Sequence, residues 1–378
     1  MTQALATSAL STKALSIFAG KKAKAHIAKN GFQAKDIRVV AGAAGGPKGL
    51  LLLGLDKFIF GEWLKTSSQR VDLLGASIGA WRMATACMDD CEAGFDRLTR
   101  DYIAQDYEPV YNQRGKRVMP SSEFVSHEFG KALFNFYDEH VAEILNHPRY
   151  NLHIITSRGR GFLKQTNPSK RLQARTVLGF AGAYFANLAN RRAMGSLMER
   201  VVFSNHSELP FASNDYATRQ LKLVEANFYG ALQASCSIPF VLNAVNDVTG
   251  APLGSYWDGG LTDYHCHMNF AGKLRDDEIV LVPHFQQHLI AGWLDKSLKW
   301  RHKSTAFLDN VVVLTPTADW VKTLPNGKIP DRQDFQAYAD DFAGRERVWT
   351  ESVNQSAQLV REFKEFLVQQ DYPRIQPL

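Results

Sequence analysis

Cysteine is rare in this sequence, and long apolar runs are missing. Four cysteines occur among 378 residues, with neither a CxxC pair nor the density of a disulfide-stabilised scaffold. This pattern favours reduced thiols in a cytoplasmic protein. Lys13 splits the apolar N-terminal stretch, so we predict no signal peptide. No segment reaches the ~18 consecutive apolar residues of a membrane span, and we therefore predict no transmembrane segment.

Positive charge is only mildly in excess over negative charge. The net charge is +6, and no long run of basic residues occurs. We predict no nucleic-acid partner, whereas attraction to an anionic membrane surface is permitted. The longest apolar stretch, 177–189, is flanked by Arg175, Arg191 and Arg192. We expect a buried helix there; a surface helix in peripheral contact with a membrane is the alternative.

Short apolar runs alternate with longer helical patterns along the chain. The apolar runs suit strands that are covered on both faces in a parallel sheet. Their order with the helices predicts an α/β fold, a three-layer α/β/α sandwich with a mainly parallel central sheet. The candidate strands are 37–43, 71–76, 152–157, 200–205, 278–284 and 311–316. The candidate helices are 47–64, 79–88, 122–147, 216–232 and 287–300.

The chain from Asp331 onward has a helical pattern. We predict that 331–378 is a helical extension packed on an α/β/α domain spanning 1–330. A separate C-terminal domain is the alternative, although no Gly-, Pro- or Ser-rich linker marks its boundary. The apolar residues on one face of this helix are Val353, Leu359, Val360, Phe363 and Leu367.

The candidate strand 71–76 runs directly into the string GASIG. Gly75, Ser77 and Gly79 form a G-x-S-x-G pattern between an apolar strand and a helical run. This is the context of a nucleophile elbow, where a serine on a sharp turn projects its hydroxyl above the sheet. The residues two positions either side must be small. The pattern therefore predicts a nucleophilic Ser77.

Two glycine-rich turns accompany the elbow. Strand 37–43 leads into GAAGGPKG, a turn whose backbone N–H groups would face a negative charge at the start of a helix. Far along the chain, Asp258 precedes Gly259 and Gly260. A partly desolvated carboxylate held on such a turn has a raised pKa and can accept a serine proton.

Other chemistries were weighed against these motifs. A Walker loop requires Ser or Thr after its Gly-Lys, and a dinucleotide fingerprint requires G-x-G-x-x-G; GAAGGPKG satisfies neither. A Ser-His-Asp triad is permitted by residue order, but only one clear strand precedes the Ser77 strand, unlike an α/β-hydrolase. The HCHMN string lacks a metal-ligand spacing of known type, so we predict no metal site. The candidate histidines for a triad are His265, His267, His284 and His288.

Together the motifs resemble the patatin-like phospholipases, in particular a bacterial branch of that family. The resemblance rests on GGPKG, GASIGAWRMA, the segment ALQASCSIPFVL (231–242) and the later DGG, and it spans about residues 37 to 265. It implies an α/β/α fold and hydrolysis of lipid or carboxylic esters through an acyl-enzyme. It implies no metal or organic cofactor.

Carried over by motif, the resemblance makes Ser77 the nucleophile and Asp258 its base. The amides of Gly45, Gly46 and Ile78 would form the oxyanion hole. Two departures occur, because Ala44 stands where the family has a first glycine and Pro47 has no N–H to donate. The supporting motif residues are Lys48, Gly49, Gly75, Gly79, Gly259 and Gly260.

The leading hypothesis is thus a serine acyl hydrolase. An acyltransferase on the same scaffold and a non-catalytic lipid- or partner-binding protein are the alternatives. Two roles remain open for Lys48: it adds positive charge beside the site, or it faces solvent. No role is assigned to His265. The substrate-determining loops are placed at 105–122, 158–176 and 318–334, and the sequence does not name the substrate.

Overall fold

The computed structural model describes residues 12–106, 110–111, 117–118, 120–165 and 170–378. Its strands are β1 Leu15–Ala19, β2 Ile37–Gly42, β3 Val71–Ala76, β4 Val110–Tyr111, β5 Arg117–Val118, β6 Tyr150–Gly159, β7 Met198–Ser204, β8 Thr218–Lys222, β9 Val245–Asn246, β10 Ser255–Asp258, β11 Ile279–Pro283, β12 Val311–Pro316 and β13 Gln376–Pro377. Its α-helices are α1 Lys21–Asn30, α2 Leu53–Phe58, α3 Ile78–Ala86, α4 Cys91–Ile103, α5 Ser122–Tyr137, α6 Val141–Leu145, α7 Lys170–Ala189, α8 Arg191–Met194, α9 Glu225–Cys236, α10 Ala318–Val321, α11 Asp334–Ala337 and α12 Phe342–Gln369.

A mostly parallel sheet of 11 strands organises the molecule, in the order β13-β1-β12-β11-β2-β3-β6-β10-β9, with β7 and β8 continuing from β6. The central strands β12, β11, β2, β3 and β6 run parallel to one another. Antiparallel strands flank them, because β1 pairs with β12 and both β7 and β10 pair with β6. All six predicted strands are present in this sheet.

The apolar strands are explained by burial on both faces of the sheet. In β11, Leu281 belongs to the core on one face, and its neighbours Val280 and Val282 belong to the core on the other face. Successive residues of a strand point to opposite faces, so a strand in the middle layer needs apolar residues at every position. The run of apolar residues therefore correctly indicates a central strand.

The two faces of the sheet are covered differently. Helices α2, α3, α4, α5, α9 and α12 supply side chains to the larger core. The second core takes most of its covering residues from irregular chain, including Met268, Phe270 and Leu289. The arrangement is consistent with three α/β/α layers, with irregular chain replacing much of the second helical layer.

Three helix predictions need correction. The segment 287–300 contains only short 3-10 turns, Trp293–Asp295 and Lys299–Arg301, because its apolar residues insert singly into the core. The predicted helix 216–232 begins instead as edge strand β8, and α9 starts at Glu225. The predicted helix 122–147 is divided into α5 and α6. By contrast, helical structure continues from Gly46 to Thr66, in agreement with the prediction for 47–64.

Helix α12 packs on the sheet domain with the predicted face. Leu359 and Phe363 are buried in the larger core, where the Phe363 ring lies 5.9 Å from that of Phe58. The predicted extension 331–378 is not helical throughout. After α12 the chain forms the short strand β13, which pairs in parallel with β1. Both terminal strands escape the sequence analysis, since each is short and acquires its partner only in the folded sheet.

The expectation that 177–189 is a buried helix is wrong. This stretch forms the C-terminal part of α7, and Leu178 and Phe185 are 68% and 66% exposed. Only the side carrying Phe180 and Ala183 enters small cores. Across the described residues, the helices include none whose length and apolar character would let it cross a membrane.

Candidate active site

Ser77 occupies a sharp turn between β3 and α3. Its backbone has φ +57° and ψ −130°, a conformation that is strained for a residue with a β-carbon. The start of α3 lies directly against the end of β2, so a β-carbon at Gly79 would overlap the carbonyl oxygen of Gly42. A β-carbon at Gly75 would lie 2.5 Å from the backbone of Ala80. The close approach of backbone to backbone is the reason that the pattern requires glycine at both positions.

Asp258 lies at the end of β10, and its side chain meets Ser77. The Ser77 hydroxyl donates a hydrogen bond of 2.7 Å to Oδ2 of Asp258. The Gly260 N–H donates to Oδ1 at 2.7 Å. Burial raises the pKa of Asp258 above its ordinary value, against the opposing effects of the positive charge of Arg332 and of the two hydrogen bonds. The pair can therefore exchange a proton, although 181 residues separate its members.

Residues of the segment 231–242 support both members of the pair. The Ser235 hydroxyl accepts a hydrogen bond from the Ser77 N–H at 3.0 Å and donates one to the Ile155 carbonyl at 2.6 Å. The Asp258 N–H donates to the Ser237 carbonyl at 2.9 Å. Sequence reasoning assigned these serines no role. The signal that could have identified them is the ASCSIP string, which lies along the chain between the Ser77 elbow and the Asp258 turn.

The glycine turn after β2 lies beside the elbow. Gly46 has φ +58°, and Pro47 occupies the first turn of the helical segment, where no N–H is needed. The Ala44 N–H donates to the Tyr264 carbonyl at 2.9 Å and is thus occupied. Ile78 begins α3, where an N–H has no acceptor within its own helix. With Ala44 occupied and Pro47 lacking an N–H, Gly45, Gly46 and Ile78 remain the candidate amides for an oxyanion hole.

The remaining motif residues serve close packing or line the site. A β-carbon at Gly259 would overlap the Ile155 carbonyl, and one at Gly260 would lie 2.8 Å from the β-carbon of Ala44. Gly49 packs on Ile78, where an added β-carbon would lie 2.8 Å from Cγ1. Lys48 lines a cavity beside Asp258, so it does not simply face solvent.

The four candidate histidines do not contact the Ser77–Asp258 pair. Nδ1 of His265 accepts from the Ile290 N–H at 3.1 Å, and its ring lies 4.3 Å from that of His284. Burial lowers the pKa of both residues, so both are neutral. His267 bonds to the Leu289 carbonyl at 2.8 Å and to Thr305 at 2.9 Å. His288 is exposed.

The histidines of the HCHMN string are also candidates for metal ligands by residue type. The HCHMN string is irregular rather than a strand, so its two histidines share no strand face. Within the described ranges of the chain, no group of three or more His, Cys, Asp or Glu side chains is arranged to hold a metal ion.

Two cavities meet at the pair and differ in character. The apolar cavity, of about 370 Å³, is lined by Ser77 and Ile78 together with apolar side chains such as Trp81, Phe129 and Leu242. The cationic cavity, of about 260 Å³, is lined by Asp258 and by Lys48, Lys296 and Arg332. Ile238 and Arg332 line both cavities. The serine thus faces the apolar cavity and the aspartate the cationic one.

Arg332 and Lys296 were not found by sequence reasoning. Arg332 packs over the glycine turn, so that a β-carbon at Gly46 would lie 3.0 Å from its Nε. Both residues come from irregular chain, and neither belongs to a motif. The loop 318–334 was expected to shape the substrate site, but nothing in its sequence marked this arginine.

Comparison with known proteins adds no relative to this description. No protein-family model matches the chain, and no curated protein is similar to it. The geometry of the site is therefore the basis for proposing a function.

Proposed function

We propose that this chain is a serine acyl hydrolase of the patatin-like type, which cleaves lipid or carboxylic esters through a Ser77–Asp258 dyad. The observation that carries the proposal is the 2.7 Å hydrogen bond from a serine on a strained elbow to a buried aspartate. A structural serine has no need of this backbone conformation, whereas a nucleophile gains an exposed, fixed hydroxyl from it.

In the acylation step, Asp258 takes the Ser77 proton as Oγ forms a bond to the ester carbonyl carbon. The carbonyl electron pair moves to its oxygen, where the N–H groups of Gly45, Gly46 and Ile78 stabilise the charge. When the intermediate collapses, the bond to the leaving oxygen breaks. That oxygen takes the proton from Asp258, and an acyl-enzyme remains.

In the deacylation step, Asp258 accepts a proton from water while the water oxygen attacks the acyl-enzyme. The bond to Ser77 Oγ then breaks, Oγ regains the proton and the carboxylic acid is released. Only a carboxylate that ionises at the working pH and readily takes up a proton can act in both steps. The burial of Asp258, which raises its pKa, supports this double role.

The experiment that tests the proposal is labelling with a fluorophosphonate, which reacts with activated serines. We expect the wild-type protein to be labelled and Ser77→Ala to be unlabelled. Ser196→Ala is the matched control, because Ser196 is an exposed serine whose hydroxyl donates only to the Ala193 carbonyl. Labelling that survives in Ser77→Ala, or an unlabelled but folded wild type, would contradict the proposal.

An acyltransferase and a binding protein remain the competing functions. A transferase would use the same dyad with an alcohol or thiol in place of water, and adding such acceptors to the assay would divert product from free acid to new ester. A binding protein would fill the apolar cavity without turnover. The strain at Ser77 favours catalysis over binding, because binding a lipid does not require it.

We also propose that the protein is cytoplasmic and makes peripheral contact with a membrane surface. It is supported by the exposed apolar side chains of α7, with Leu178 at 68% and Phe185 at 66% exposure. Phe180 of the same helix lies 5.7 Å from Phe240, which lines the apolar cavity. Phe185→Asp should weaken sedimentation with phosphatidylglycerol vesicles, whereas Val368→Asp on α12 should not. Equal sedimentation of the two variants would count against this contact.

A further inference from the structure

The cationic cavity contains three positive side chains that form no close ion pair within the described residues, although the charges of Asp331 and Asp258 act at longer range on Lys48 and Arg332. Across the described part of the chain, no carboxylate lies within ion-pair distance of Lys48, Lys296 or Arg332, and their side chains make no hydrogen bond. The ammonium groups lie over aromatic rings instead: that of Lys48 is 4.8 Å from the centre of Phe285 and that of Lys296 is 5.0 Å from Tyr264. Such contacts hold a cation in place without neutralising it.

The two acids in the cavity wall are already engaged elsewhere. Asp331 forms an ion pair of 3.0 Å with Lys328. Asp258 accepts from the Ser77 hydroxyl and the Gly260 N–H. The two acids therefore offset only part of the positive charge of the cavity, and the remainder is available to a ligand.

The positive charges also repel one another. Burial lowers the pKa of Lys48; the charge of Asp331 opposes this effect, and the charge of Arg332 adds to it. Burial lowers the pKa of Lys296 too, and the nearby charges of Lys48 and Arg332 lower it further. A bound anion would relieve this repulsion, and its bonds to the charged donors would be strengthened by the partial burial of the cavity.

The mechanism decides which part of the substrate enters this cavity. The leaving oxygen must receive its proton from Asp258, so the alcohol part of the ester lies on the side of Asp258. That side is the cationic cavity, whereas Ser77 faces the apolar cavity, which suits an acyl chain. At about 260 Å³ the cationic cavity lies below the ~300–1,000 Å³ of ordinary ligand pockets, so it fits a small group and not a second acyl chain.

We propose that the substrate is a single-chain acyl ester whose small alcohol part carries an anionic group, a phosphate or a carboxylate, bound by Lys48, Lys296 and Arg332. This inference rests on the proposed acyl-hydrolase function and names its substrate class. Lys296 is the residue that separates charge recognition from catalysis most cleanly, because it lies at the partly exposed rim and belongs neither to the dyad nor to the oxyanion turn.

The test compares esters that share one scissile bond. The probes are 1-octanoylglycerol, 1-octanoylglycerol 3-phosphate, 3-octanoylglycerate and 1,2-dioctanoylglycerol 3-phosphate, each below its micelle concentration, with released octanoate as the readout. We expect kcat/KM for the single-chain phosphate to exceed that of the neutral ester by about tenfold or more at low salt. The preference should shrink as salt is added, and the two-chain phosphate should react more slowly than the single-chain one.

Two variants assign the preference to the cavity. Lys296→Met should lower the ratio of the anionic to the neutral kcat/KM by about fivefold to tenfold, as expected for loss of one charged donor. Lys299→Met is the matched control, because Lys299 is exposed on the same stretch of chain and does not line the cavity. This control should leave the ratio as in the wild type.

The possible outcomes distinguish failure of the proposed anion recognition from failure of the proposed acyl-hydrolase activity. Preference for both the phosphate and the glycerate supports recognition of charge, and preference for the phosphate alone supports the same site with a phosphate ligand. Ser77-dependent hydrolysis with no preference for an anion overturns the inference and leaves the hydrolase intact. A preference that survives in Lys296→Met also overturns it. If no ester reacts and the fluorophosphonate fails to label, the hydrolase and the inference both fall.

Discussion

Asp258 and Asp263 are two buried aspartates on one short stretch of chain, and the fold gives them opposite partners. Asp263 is fully buried and accepts two hydrogen bonds from Arg200, at 2.7 and 2.6 Å. Arg200 in turn holds Asp215 at 2.9 and 3.0 Å. Asp258 is 6% exposed and has only a hydroxyl and an amide as bonded partners.

The difference in partners suits Asp263 to a structural role and, under the proposed function, Asp258 to a chemical one. In the Arg200 cluster the charges are paired, and the nearby aspartates raise the pKa of Arg200. Burial opposes ionisation of Asp215, but Arg200 prevails and lowers the pKa of Asp215 below its ordinary value. No bonded cation compensates Asp258, whose pKa is raised. A carboxylate whose charge is poorly compensated can take up a proton during a reaction, and a paired one cannot.

The largest effect is expected on turnover when Asp258 is replaced by Asn. The substitution keeps the side chain's shape but removes the base, so turnover of 4-nitrophenyl butyrate should fall by about 10²–10⁴-fold. Because the pKa of Asp258 is raised in the fold, its ionisation disfavours the folded state at neutral pH. The melting temperature should therefore be unchanged or higher. Near-normal turnover would overturn the dyad and return attention to the four histidines.

The same substitution at Asp263 should act mainly on stability. It leaves the buried Arg200 with an incomplete set of acceptors, and breaking a buried pair costs about 3–5 kcal/mol. Urea denaturation of Asp263→Asn beside Asp258→Asn measures the contrast directly. If the two variants were equally stable, the distinction between a structural and a chemical aspartate would be lost.

A pH titration should separate Asp258 from the Arg200 cluster, through its member Asp215, within one unmodified protein. Under the proposed mechanism turnover requires ionised Asp258, so activity should be lost as pH falls through the raised pKa, about tenfold per pH unit. Asp215 has a lowered pKa, so its contribution to stability is full above the unfolded value and disappears only as pH falls toward the folded value. We expect a pH range in which the protein is folded and reversibly inactive, seen by circular dichroism beside an activity assay. Coincident loss of fold and activity would contradict this order.

The smallest expected effect is a change in stability, and it concerns the backbone at Ser77. Its φ of +57° costs a residue with a β-carbon about 1–3 kcal/mol, whereas glycine adopts such angles freely. After the entropic cost of an added glycine, Ser77→Gly should be more stable by about 1 kcal/mol while losing all turnover. Ser77→Ala keeps the strain and is the control. A Ser77→Gly variant no more stable than Ser77→Ala would mean that the elbow is not strained.

Much of the fold was readable from local patterns. All six predicted strands occur, because a strand buried on both faces must be apolar throughout. The predictions failed where local pattern and tertiary environment diverge. Residues 287–300 are apolar because they cover the sheet singly, not because they form a helix. The apolar character of α7 did not lead to burial, and its exposed side chains lie near the apolar cavity.

The sequence by itself determined the residues that a close-packed elbow requires. Gly75, Ser77 and Gly79 form a local pattern because the constraint is steric and extends over five residues. The resemblance named Asp258 as the acid, but only the tertiary structure brings it to this serine, since Asp258 lies at the end of β10, 181 residues along the chain. It also brought Lys296 and Arg332 into one cavity with Lys48. Irregular segments have no periodic pattern that predicts which side chains lie together, so only the folded structure shows that these charges converge.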